Sequence, residues 1–446
     1  MSTLCLIDAH SLCYRAFYAI KAGLVTSYGQ PTNAVYGFIN MLNRIIQEVK
    51  PDYAAICFDV GKPTFREERF KDYKIQRRPM PDDLKTQIPL IKDVVSAYNL
   101  RIFEKEGFEA DDVIAAFAHK AKERGLKVVI VTSDKDMLQL VNAEIRVYNP
   151  YKGEGMYFGT KEVEAQFGVK PENMIDLLSL TGDSVDNVPG VKGIGEKTAR
   201  SLIQEFHNIN NLLKNIDKVR PERIRKLIKD HREDIGLSRD LIRLSVDSRV
   251  DFELKDLEIK QADYEKLYGL FSKLEFKSLL KNLEGKVPIK NTGRDSDLLK
   301  DIKKSRDINK LNEELSQKNI FSFSFAADSD KLQVAVYAGG DKLYILEDKE
   351  EIRSLFNNQR FEIVGNDIKG AKLFFRKHDV EIQAGIFDVM IAAYLIVSSR
   401  TDYSLGALVY DYLKIGPLAR EDLTKNEAVF IYKLQEAVLK ELEEKK

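Results

Sequence analysis

Residues 107–136 read GFEADDVIAAFAHKAKERGLKVVIVTSDKD, a sequence typical of one helix followed by one buried strand. Apolar residues at helical spacing predict a helix over 111–124, and the β-branched run 127–132 predicts a buried parallel strand. Five acidic residues lie at the ends of this helix–strand unit: Glu109, Asp111, Asp112, Asp134 and Asp136. Two carboxylates about 4 Å apart repel by roughly 4 kcal/mol near a protein surface, which favours a divalent cation between them. The helix dipole alone explains the acids at the helix start, but not the pair after the strand.

Composition limits the classes of function. The chain has 446 residues, enough for two or three domains, and it carries 70 basic and 70 acidic residues. A net charge of zero neither indicates nor excludes nucleic-acid binding, so such a signal must lie in local charge segregation. Three cysteines without a CxxC pair and five histidines argue against disulfides and zinc, and leave oxygen ligands suited to Mg²⁺ or Mn²⁺. The absence of a signal peptide and of membrane-length apolar runs predicts a soluble, cytoplasmic protein.

Acidic residues also follow other predicted strands. Three further apolar runs alternate with helical segments: residues 3–7, 53–58 and 100–103. This alternation is typical of a parallel sheet covered by helices, in which ligands bind beyond the carboxyl ends of the strands. Asp8, Asp59 and Asp134 all stand at such ends. Each alone is commonly a helix cap, but three that converge on Glu109 indicate a site.

Residues 62–78, KPTFREERFKDYKIQRR, segregate positive charge. The stretch has seven basic residues against three acidic ones, with aromatic residues between them. Basic groups can neutralise phosphates and aromatic rings can stack on bases, so the stretch favours nucleic-acid contact. A solvated helix with salt bridges explains the composition equally well. The position directly after Asp59 favours the functional interpretation.

Residues 181–203, TGDSVDNVPGVKGIGEKTARSLI, supply two more carboxylates, Asp183 and Asp186. Three glycines and two lysines then precede or open a helix that begins near residue 197: Gly190, Lys192, Gly193, Gly195 and Lys197. Backbone N–H groups at such a helix start can face a phosphate. A glycine turn between helices is usually only a turn, but this arrangement resembles the helix-hairpin-helix phosphate clamp of DNA enzymes. It lacks the preceding strand and the GKS/T order of a Walker loop.

Residues 1 to about 283 closely resemble the 5′ nuclease domain of bacterial DNA polymerase I, a member of the flap endonuclease family. The resemblance rests on five ordered motifs: LIDAHSLCYRAFYA, CFDVGKPTFREERFKDYKIQRRPMP, GFEADDVIA, VTSDKDMLQL and TGDSVDNVPGVKGIGEKTA. It implies an α/β fold, with a parallel-sheet PIN-like domain, a helical arch and a helix-hairpin-helix subdomain. It also implies a 5′ to 3′ exonuclease and flap endonuclease that cleaves flapped or nicked DNA in replication and repair.

The resemblance assigns roles to residues already singled out. Two or more Mg²⁺ ions, or Mn²⁺ in their place, would be held directly or through water by nine acids: Asp8, Asp59, Glu109, Asp111, Asp112, Asp134, Asp136, Asp183 and Asp186. The catalytic group is expected to comprise Lys74, Arg77, Asp8, Asp59, Asp112 and Asp134. The residues expected to contact DNA are Arg15, Tyr73, Arg78, Gly190, Lys192, Gly193, Gly195, Lys197 and Thr198.

Residues 300–446 resemble the 3′ to 5′ exonuclease domain of the same polymerase, a ribonuclease H-like α/β fold, in degenerate form. Ser324 and Ala326 stand where the family has paired acids, and Ala371 stands where it has a metal-binding aspartate. Asp388 is kept, but it is not a metal ligand in the family. The residues after Leu423 do not restore the tyrosine and aspartate of the final motif. Without its ligands two-metal hydrolysis cannot proceed, so this domain is expected to be an inactive scaffold.

The predicted domains are a 5′ nuclease domain over 1–170 with its arch at 62–80, a helix-hairpin-helix subdomain over 171–284, a linker over 285–299, and the exonuclease-like domain over 300–446. No polymerase domain follows, so a fragment, a split polymerase and a stand-alone nuclease all stay open. A monomer is expected, with DNA and a separately encoded polymerase as partners. Two rival functions also stay open: a PIN-like ribonuclease, which leaves Asp183, Asp186 and the clamp unexplained, and a non-catalytic DNA-binding accessory that recruits a polymerase.

Overall fold

The computed structural model describes residues 2–20, 23–61, 64–151, 155–246, 252–283, 286, 302–325, 332–397, 403–413, 415 and 426–444. The chain divides into two compact units: unit 1 comprises Met1–Val25 and Gln30–Asp263, and unit 2 comprises Thr26–Gly29 and Tyr264–Lys446. Of the predicted linker, only residue 286 belongs to the described residues. The predicted domain boundaries therefore stay predictions.

Unit 1 is built on a six-stranded sheet with the strand order β3-β2-β1-β4-β5-β6. Its strands are β1 (Thr3–Asp8), β2 (Tyr53–Cys57), β3 (Arg101–Phe103), β4 (Lys127–Val131), β5 (Ile145–Asn149) and β6 (Met156–Phe158). All neighbours pair in parallel except β6, which is antiparallel to β5. The predicted parallel sheet is confirmed. Its central strands are buried because nearly every residue in them is apolar.

The helices of unit 1 are α1 (Ala9–Ala19), α2 (Asn33–Val49), α3 (Phe65–Arg69), α4 (Asp82–Lys85), α5 (Ile88–Ala97), α6 (Ala110–Glu123), α7 (Thr160–Phe167), α8 (Met174–Thr181), α9 (Glu196–Phe206), α10 (Ile209–Lys214), α11 (Glu222–Asp230) and α12 (Arg232–Ile242). Short 3-10 helices cover Lys135–Leu140, Pro171–Asn173, Ile216–Lys218 and Leu254–Asp256. The predicted helix at 111–124 is α6. Its apolar residues Val113, Ile114 and Phe117 are buried, so its acidic N-terminus is held at the edge of the sheet.

The predicted helical arch, 62–80, is helical only at α3 among the described residues of that range. Beyond α3 the backbone forms turns, and Lys74 adopts a left-handed conformation with φ of 58°. An α-helix cannot contain such a residue, and Pro79 and Pro81 prevent a helix from continuing past them. Among its described residues, the predicted arch therefore consists of one short helix followed by a compact series of turns, and its role as an arch stays a prediction.

A tight loop connects α8 to the segment that leads into α9. A Cβ atom at Gly182 (φ of 68°) would lie 2.5 Å from the Val188 carbonyl oxygen, and one at Gly190 (φ of 57°) would lie 2.3 Å from the Gly182 nitrogen. Only glycine fits at these two positions. Asp183 and Val188 donate backbone hydrogen bonds to each other's carbonyls at 3.0 and 2.8 Å, which closes the loop that carries Asp186.

Unit 2 contains a second six-stranded sheet, ordered β12-β11-β8-β9-β10-β7. Its strands are β7 (Lys303–Ser305), β8 (Ile320–Phe325), β9 (Val334–Tyr337), β10 (Lys342–Leu346), β11 (Glu362–Gly365) and β12 (Gly385–Asp388). Its helices are α13 (Tyr264–Lys273), α14 (Lys277–Lys281), α15 (Ile308–Lys318), α16 (Lys349–Phe356), α17 (Ile368–Lys377), α18 (Val389–Ile396), α19 (Leu405–Leu408) and α20 (Glu427–Glu444), with a π-helical turn at Val409–Leu413. Strand β9 is antiparallel to both neighbours and the other pairs are parallel. This is an α/β unit, and its ribonuclease H-like identity stays a prediction. Across the described residues, no helix is both long enough and apolar enough to cross a membrane.

Candidate functional site

The carboxyl edge of the unit 1 sheet brings Asp8 and Asp134 together through one hydroxyl group. The Asp8 carboxylate accepts hydrogen bonds from the Ser11 amide at 3.0 Å and from Thr132 Oγ1 at 2.8 Å. Thr132 Oγ1 in turn accepts a hydrogen bond from the Asp134 amide at 3.1 Å. The ends of the adjacent strands β1 and β4 therefore share Thr132, which the sequence did not single out. Its place at the end of the β-branched run 127–132 was the signal from which the sequence could have predicted this role.

Asp59 lies beside the start of α6. Its Oδ1 accepts a hydrogen bond from the Ala110 amide at 2.6 Å, and its Oδ2 lies 3.3 Å from Nδ1 of His10. A helix N-terminus attracts negative charge, so α6 holds Asp59 next to Asp111. The structure thus places Asp59 near the acids at 109–112, as expected.

Burial and mutual repulsion raise the pKa values of the acids at this edge. Burial, followed by the charges of Asp59 and Asp134, raises the pKa of Asp8 to about 6. The pKa of Asp111 lies well above its usual range because of burial and the charges of Asp134, Asp8, Glu109 and Asp59. Burial also raises the pKa values of Asp134 and Asp136. Such shifts indicate negative charges that the protein alone leaves incompletely neutralised.

Basic side chains contact the outer acids of the site. Lys74 Nζ lies 2.5 Å from Glu109 Oε1, and Lys135 Nζ lies 2.9 Å from Asp183 Oδ2. Burial alone would raise the pKa of Asp183, but hydrogen bonds from Lys135 and from two backbone amides hold it below its usual value. The sequence did not single out Lys135, although it stands between two predicted ligands.

The basic segment is docked onto the loop that carries Asp186. Arg77 Nη2 lies 2.5 Å from Asp186 Oδ1, and the Lys74 amide donates to the Asp186 carbonyl at 3.0 Å. Asn187 Nδ2 donates to the Asp72 carbonyl at 2.8 Å. The predicted neighbourhood of Lys74, Arg77 and the acids is therefore present in the structure.

In the parts of the chain that the structure describes, no three acid, histidine or cysteine side chains converge closely enough to form a ready-made metal site. Three of the outer acids pair with basic side chains instead: Glu109 with Lys74, Asp183 with Lys135 and Asp186 with Arg77. The donor set still suits hard divalent cations, since it is made of carboxylate oxygens with raised pKa values at one sheet edge.

The contacts of Asp112 contradict its predicted role as a metal ligand and catalytic residue. Its side chain is fully buried, and its oxygens accept from Arg66 Nη1 at 2.6 Å and Arg66 Nη2 at 2.8 Å. The amides of Ser245 and Glu109 donate to the same carboxylate at 2.8 and 3.2 Å. With its lone pairs already used, Asp112 is a structural ion-pair partner. Neighbouring Asp111, by contrast, interacts electrostatically with the other acids of the site.

Arg66 was not singled out from the sequence, because nothing in the basic stretch distinguishes it. It is 1% exposed, and it donates to the carbonyls of Leu241 and Arg243 at 2.7 and 3.1 Å. Its Nη1 also lies 3.3 Å from Glu109 Oε2. Arg66 therefore connects α3, the start of α6 and the end of α12.

The position of Tyr73 contradicts the prediction that it contacts DNA. Its ring is buried, and its hydroxyl donates to Glu109 Oε2 at 3.4 Å. A buried ring cannot stack on a base. Arg15 and Arg78 are exposed, and the guanidinium of Arg15 lies 5.3 Å from the centre of the Tyr151 ring. These two stay proposed DNA contacts.

The predicted glycine clamp is only partly available to a ligand. The Gly190 amide donates to Ser238 Oγ at 2.9 Å in the interior, so it cannot bind a phosphate. Gly193 and Gly195 are exposed, and their amides have no acceptor among the described residues. Lys192 and Lys197 are exposed beside them, and Thr198 is half-buried in the first turn of α9. The clamp prediction is thus wrong for Gly190 and stays a proposal for the others.

In unit 2, two of the positions predicted to have lost their acids belong to the described residues. Ser324 is in β8, and Ala371 is fully buried in α17. The Asp388 carboxylate accepts hydrogen bonds from the amides of Ile368, Met390 and Ile391 at 2.8, 2.9 and 3.3 Å. This acid is a backbone cap that links α17 to α18. Ala326 lies outside the described residues.

Two sequence families match the chain. The family described as 5′-3′ exonuclease, N-terminal resolvase-like domain, matches residues 3–168. The family described as 5′-3′ exonuclease, C-terminal SAM fold, matches residues 169–265.

The chain is similar to a short curated 5′-3′ exonuclease and to longer curated DNA polymerases. It is 42% identical over 284 residues to a 5′-3′ exonuclease of Aquifex aeolicus, a match that covers 64% of this chain and 96% of that protein. It is 32% identical over 424 residues to DNA polymerase I of Caldicellulosiruptor bescii, covering 92% of this chain and 48% of the polymerase. It is 41% identical over 287 residues to the thermostable DNA polymerase I of Thermus thermophilus, covering 64% of this chain and 34% of the polymerase. The chain thus spans half or less of these polymerases.

Solved structures give more distant likenesses. T5 5′-exonuclease with bound zinc has a TM-score of 0.48 and 20% identity, covering 55% of this chain and 91% of that chain. The catalytic core of Rad2 in complex with DNA substrate has a TM-score of 0.45 and 17% identity, covering 63% of this chain and 92% of that chain. These scores are too low to support a functional conclusion.

Proposed function

The chain belongs to the 5′-3′ exonuclease family, and from that premise we propose that it hydrolyses phosphodiesters in flapped or nicked DNA with the help of divalent cations. The observation that carries the proposal is the group of carboxylates at the carboxyl edge of the unit 1 sheet, where loss of solvent and then the neighbouring acids raise the pKa values of Asp8 and Asp111. Charge that the protein leaves uncompensated at a ligand-binding edge favours cations and a polyanionic substrate there.

The acids proposed to hold two or more Mg²⁺ ions are Asp8, Asp59, Glu109, Asp111, Asp134, Asp136, Asp183 and Asp186, without Asp112. Mn²⁺ suits the same oxygen donors. When bound, the cations supply a water of lowered pKa and stabilise negative charge on the scissile phosphate. Thr132 and the Ser11 amide keep Asp8 oriented toward this edge, because each holds one oxygen of its carboxylate.

Lys74 and Arg77 are proposed to contact the phosphate that is cleaved. Their charged ends already reach Glu109 and Asp186, so they lie at the acid group rather than out in solvent. A phosphate bound between the acids and these cations would replace a carboxylate as their partner. Each can then stabilise charge that develops on the phosphate oxygens.

The proposed duplex contact is the exposed surface around Gly193 and Gly195. The amides of Gly193 and Gly195, which have no acceptor among the described residues, favour a backbone phosphate at this point, as do Lys192, Lys197 and the start of α9. Arg15, Arg78 and Thr198 are further proposed contacts. Phosphate contacts of this kind set the position of the duplex without reading its sequence.

Unit 2 is proposed to be a catalytically inactive relative of a 3′ to 5′ exonuclease domain. Serine and alanine at positions 324 and 371 cannot replace carboxylates as ligands of hard cations. The similarity to DNA polymerase I of Caldicellulosiruptor bescii extends over 424 residues and so continues into this unit. A separately encoded polymerase is a proposed partner.

The test is cleavage of a 5′-flap substrate with and without Mg²⁺, using DNA and RNA 5′ strands side by side. We expect metal-dependent cutting of the DNA flap that is lost in Asp134→Ala and Asp183→Ala, while both variants still bind the substrate. Cutting of RNA alone would favour a ribonuclease, and DNA binding without cutting would favour a non-catalytic accessory. Release of nucleotides from a DNA 3′ end by Asp134→Ala would show that unit 2 is active.

A further inference from the structure

An apolar helix of unit 2 has a side that the described residues leave uncovered. α18 reads VMIAAYLI and has no charged side chain. Ala392 and Ala393 are buried against the core, but Ile391 is 54% exposed and Leu395 is 66% exposed. A helix that is apolar on all sides is normally buried on all sides. The exposed side of α18 therefore indicates a surface suited to contact with another molecule.

The exposed side of α18 forms one wall of a groove. The groove has a volume of about 640 Å³, its other wall is α17, and the edge strand β12 contributes to its floor. Leu373 of α17 is 56% exposed and Ile386 of β12 is 37% exposed, so the apolar surface continues across all three elements. Contiguous exposed apolar surface of this kind marks an interaction site more often than scattered apolar residues do.

One wall of the groove is positively charged. Lys369, Lys372 and Arg376 lie at i, i+3 and i+7 of α17, so they share one face of the helix. All three are exposed and line the groove, and none forms an ion pair with a residue that the structure describes. Asp388 also lines the groove, but three backbone amides hold its carboxylate. The groove thus offers an apolar floor and a basic edge whose three side chains have no ion-pair partner within the described chain.

We propose that this groove binds one amphipathic helix of a partner protein, whose apolar stripe packs on Leu373, Ile391 and Leu395 and whose carboxylates face Lys369, Lys372 and Arg376. The charge of the α17 wall requires an acidic occupant. A helix fits better than a strand, because the walls are helices and the edge strand β12 is only four residues long. The inference rests on unit 2 alone and does not depend on the nuclease assignment.

Three synthetic peptides of about 18 residues, each able to form about five helical turns, test the proposal on the full chain. The first has leucines at i, i+3, i+4 and i+7 flanked by glutamates, the second has the same leucines flanked by lysines, and the third keeps the glutamates but has serines for leucines. Fluorescence anisotropy of labelled peptides measures binding. We expect saturable binding of the first peptide only, weakening as salt increases.

Variants then locate the site. Leu395→Glu, at an exposed position that should not impair folding, is expected to weaken binding of the first peptide about tenfold or more. Lys372→Glu should weaken it about fivefold, because it reverses one charge of the basic edge. Lys310→Glu changes an exposed lysine on α15 and serves as the matched control with unchanged binding. Flap cleavage by all three variants should equal that of the unchanged chain.

Two results would overturn the inference. Equal binding of the glutamate and lysine peptides, or binding of neither, would show that the groove does not select an acidic helix. Sedimentation that shows a dimer of the unchanged chain and a monomer of Leu395→Glu would identify a second copy of this chain as the occupant instead.

Discussion

At the carboxyl ends of their parallel strands the two sheets carry different side chains. In unit 1, β1 ends at Asp8 and Asp134 follows β4, and the hydroxyl of Thr132 bonds to both residues. In unit 2, Ser324 lies near the end of β8. Asp388 lies at the end of β12, where its carboxylate accepts hydrogen bonds from three backbone amides. Both units are α/β folds with six-stranded sheets. The two sheets differ in strand order, but each has parallel strands whose carboxyl ends carry side chains, and it is these side chains that decide whether an edge can bind a cation.

The comparison also shows what makes a carboxylate available for chemistry. Asp388 satisfies backbone donors of α17 and α18, so it stabilises the fold and has little capacity left for a ligand. Asp111 has no such donors among the described residues: loss of solvent, and then the charges of its acidic neighbours, keep its pKa well above the usual range. An acid that is poorly stabilised by its own protein is the one to expect at a functional site.

The largest expected effect is on cleavage, and it should follow removal of an acid from the unit 1 sheet edge but not from the unit 2 sheet edge. Asp134→Ala should lower the rate of Mg²⁺-dependent flap cleavage by about 10³-fold or more, because a metal ligand supports several kcal/mol of charge stabilisation. Asp388→Ala should leave that rate unchanged and cost about 1 kcal/mol of stability through the lost helix cap. Single-turnover cleavage and urea unfolding measure the two effects. Equal loss of cleavage in both variants would remove the distinction between the two sheets.

A second test separates structural from functional acids within unit 1. Arg66→Met leaves the buried charge of Asp112 unpaired and should lower the free energy of unfolding by about 3 kcal/mol. The double variant Arg66→Met with Asp112→Leu removes both charges and should recover most of that loss. Urea unfolding in the presence of a chelator measures both. If the double variant is no more stable than Arg66→Met, the Arg66–Asp112 pair is not what holds α3 to α6.

Much of unit 1 was predictable from the sequence, because period and position carry the information. The strands, α6 and the approach of Asp59 to the other acids follow from apolar runs and from the geometry of parallel sheets. The sequence could not separate Asp111 from Asp112, since adjacent residues of a helix point about 100° apart and only the packed partner shows which one is buried. It also could not show that Arg66 enters the interior while Lys74 and Arg77 stay at the acids. The predicted DNA contacts of Gly190 and Tyr73 were wrong for the same reason, since each residue bonds to a partner that is distant in the sequence.

A third expected effect is that the charge of Asp8 makes the free energy of unfolding depend on pH when a chelator removes divalent cations. Because the pKa of Asp8 rises from 3.8 to about 6 in the fold, the folded chain holds its proton more tightly than the unfolded chain. This contribution to stability is present below about pH 4 and is lost as pH rises through about 6. In a chelator, Asp8→Asn should therefore gain about 3 kcal/mol over the unchanged chain at pH 7 and little at pH 4. Urea unfolding at the two pH values measures the gain, and an equal effect at both would show that Asp8 is not destabilised by its charge.

A smaller effect is expected at the basic segment. Lys74→Ala should slow cleavage about tenfold by removing a charge beside the phosphate. The loss of stability should stay at about 1 kcal/mol although Lys74 and Glu109 are only 20% and 12% exposed, because Arg66 still pairs with Glu109 in the variant. Lys310→Ala in unit 2 is the matched control and should change neither quantity. Unchanged cleavage by Lys74→Ala would place this lysine outside the catalytic group.

The smallest effect concerns the exposed glycine surface. Lys192→Ala should weaken binding of duplex DNA about threefold, and the slope of log affinity against log salt should fall by about 0.9, because one phosphate contact is lost. Asp134→Ala should leave that slope unchanged, since an acid makes no attractive contact with the phosphate backbone. Anisotropy titrations at several salt concentrations measure both slopes. If Lys192→Ala keeps the original slope, the duplex does not contact the segment before α9, and the other basic residues of unit 1 must carry the binding.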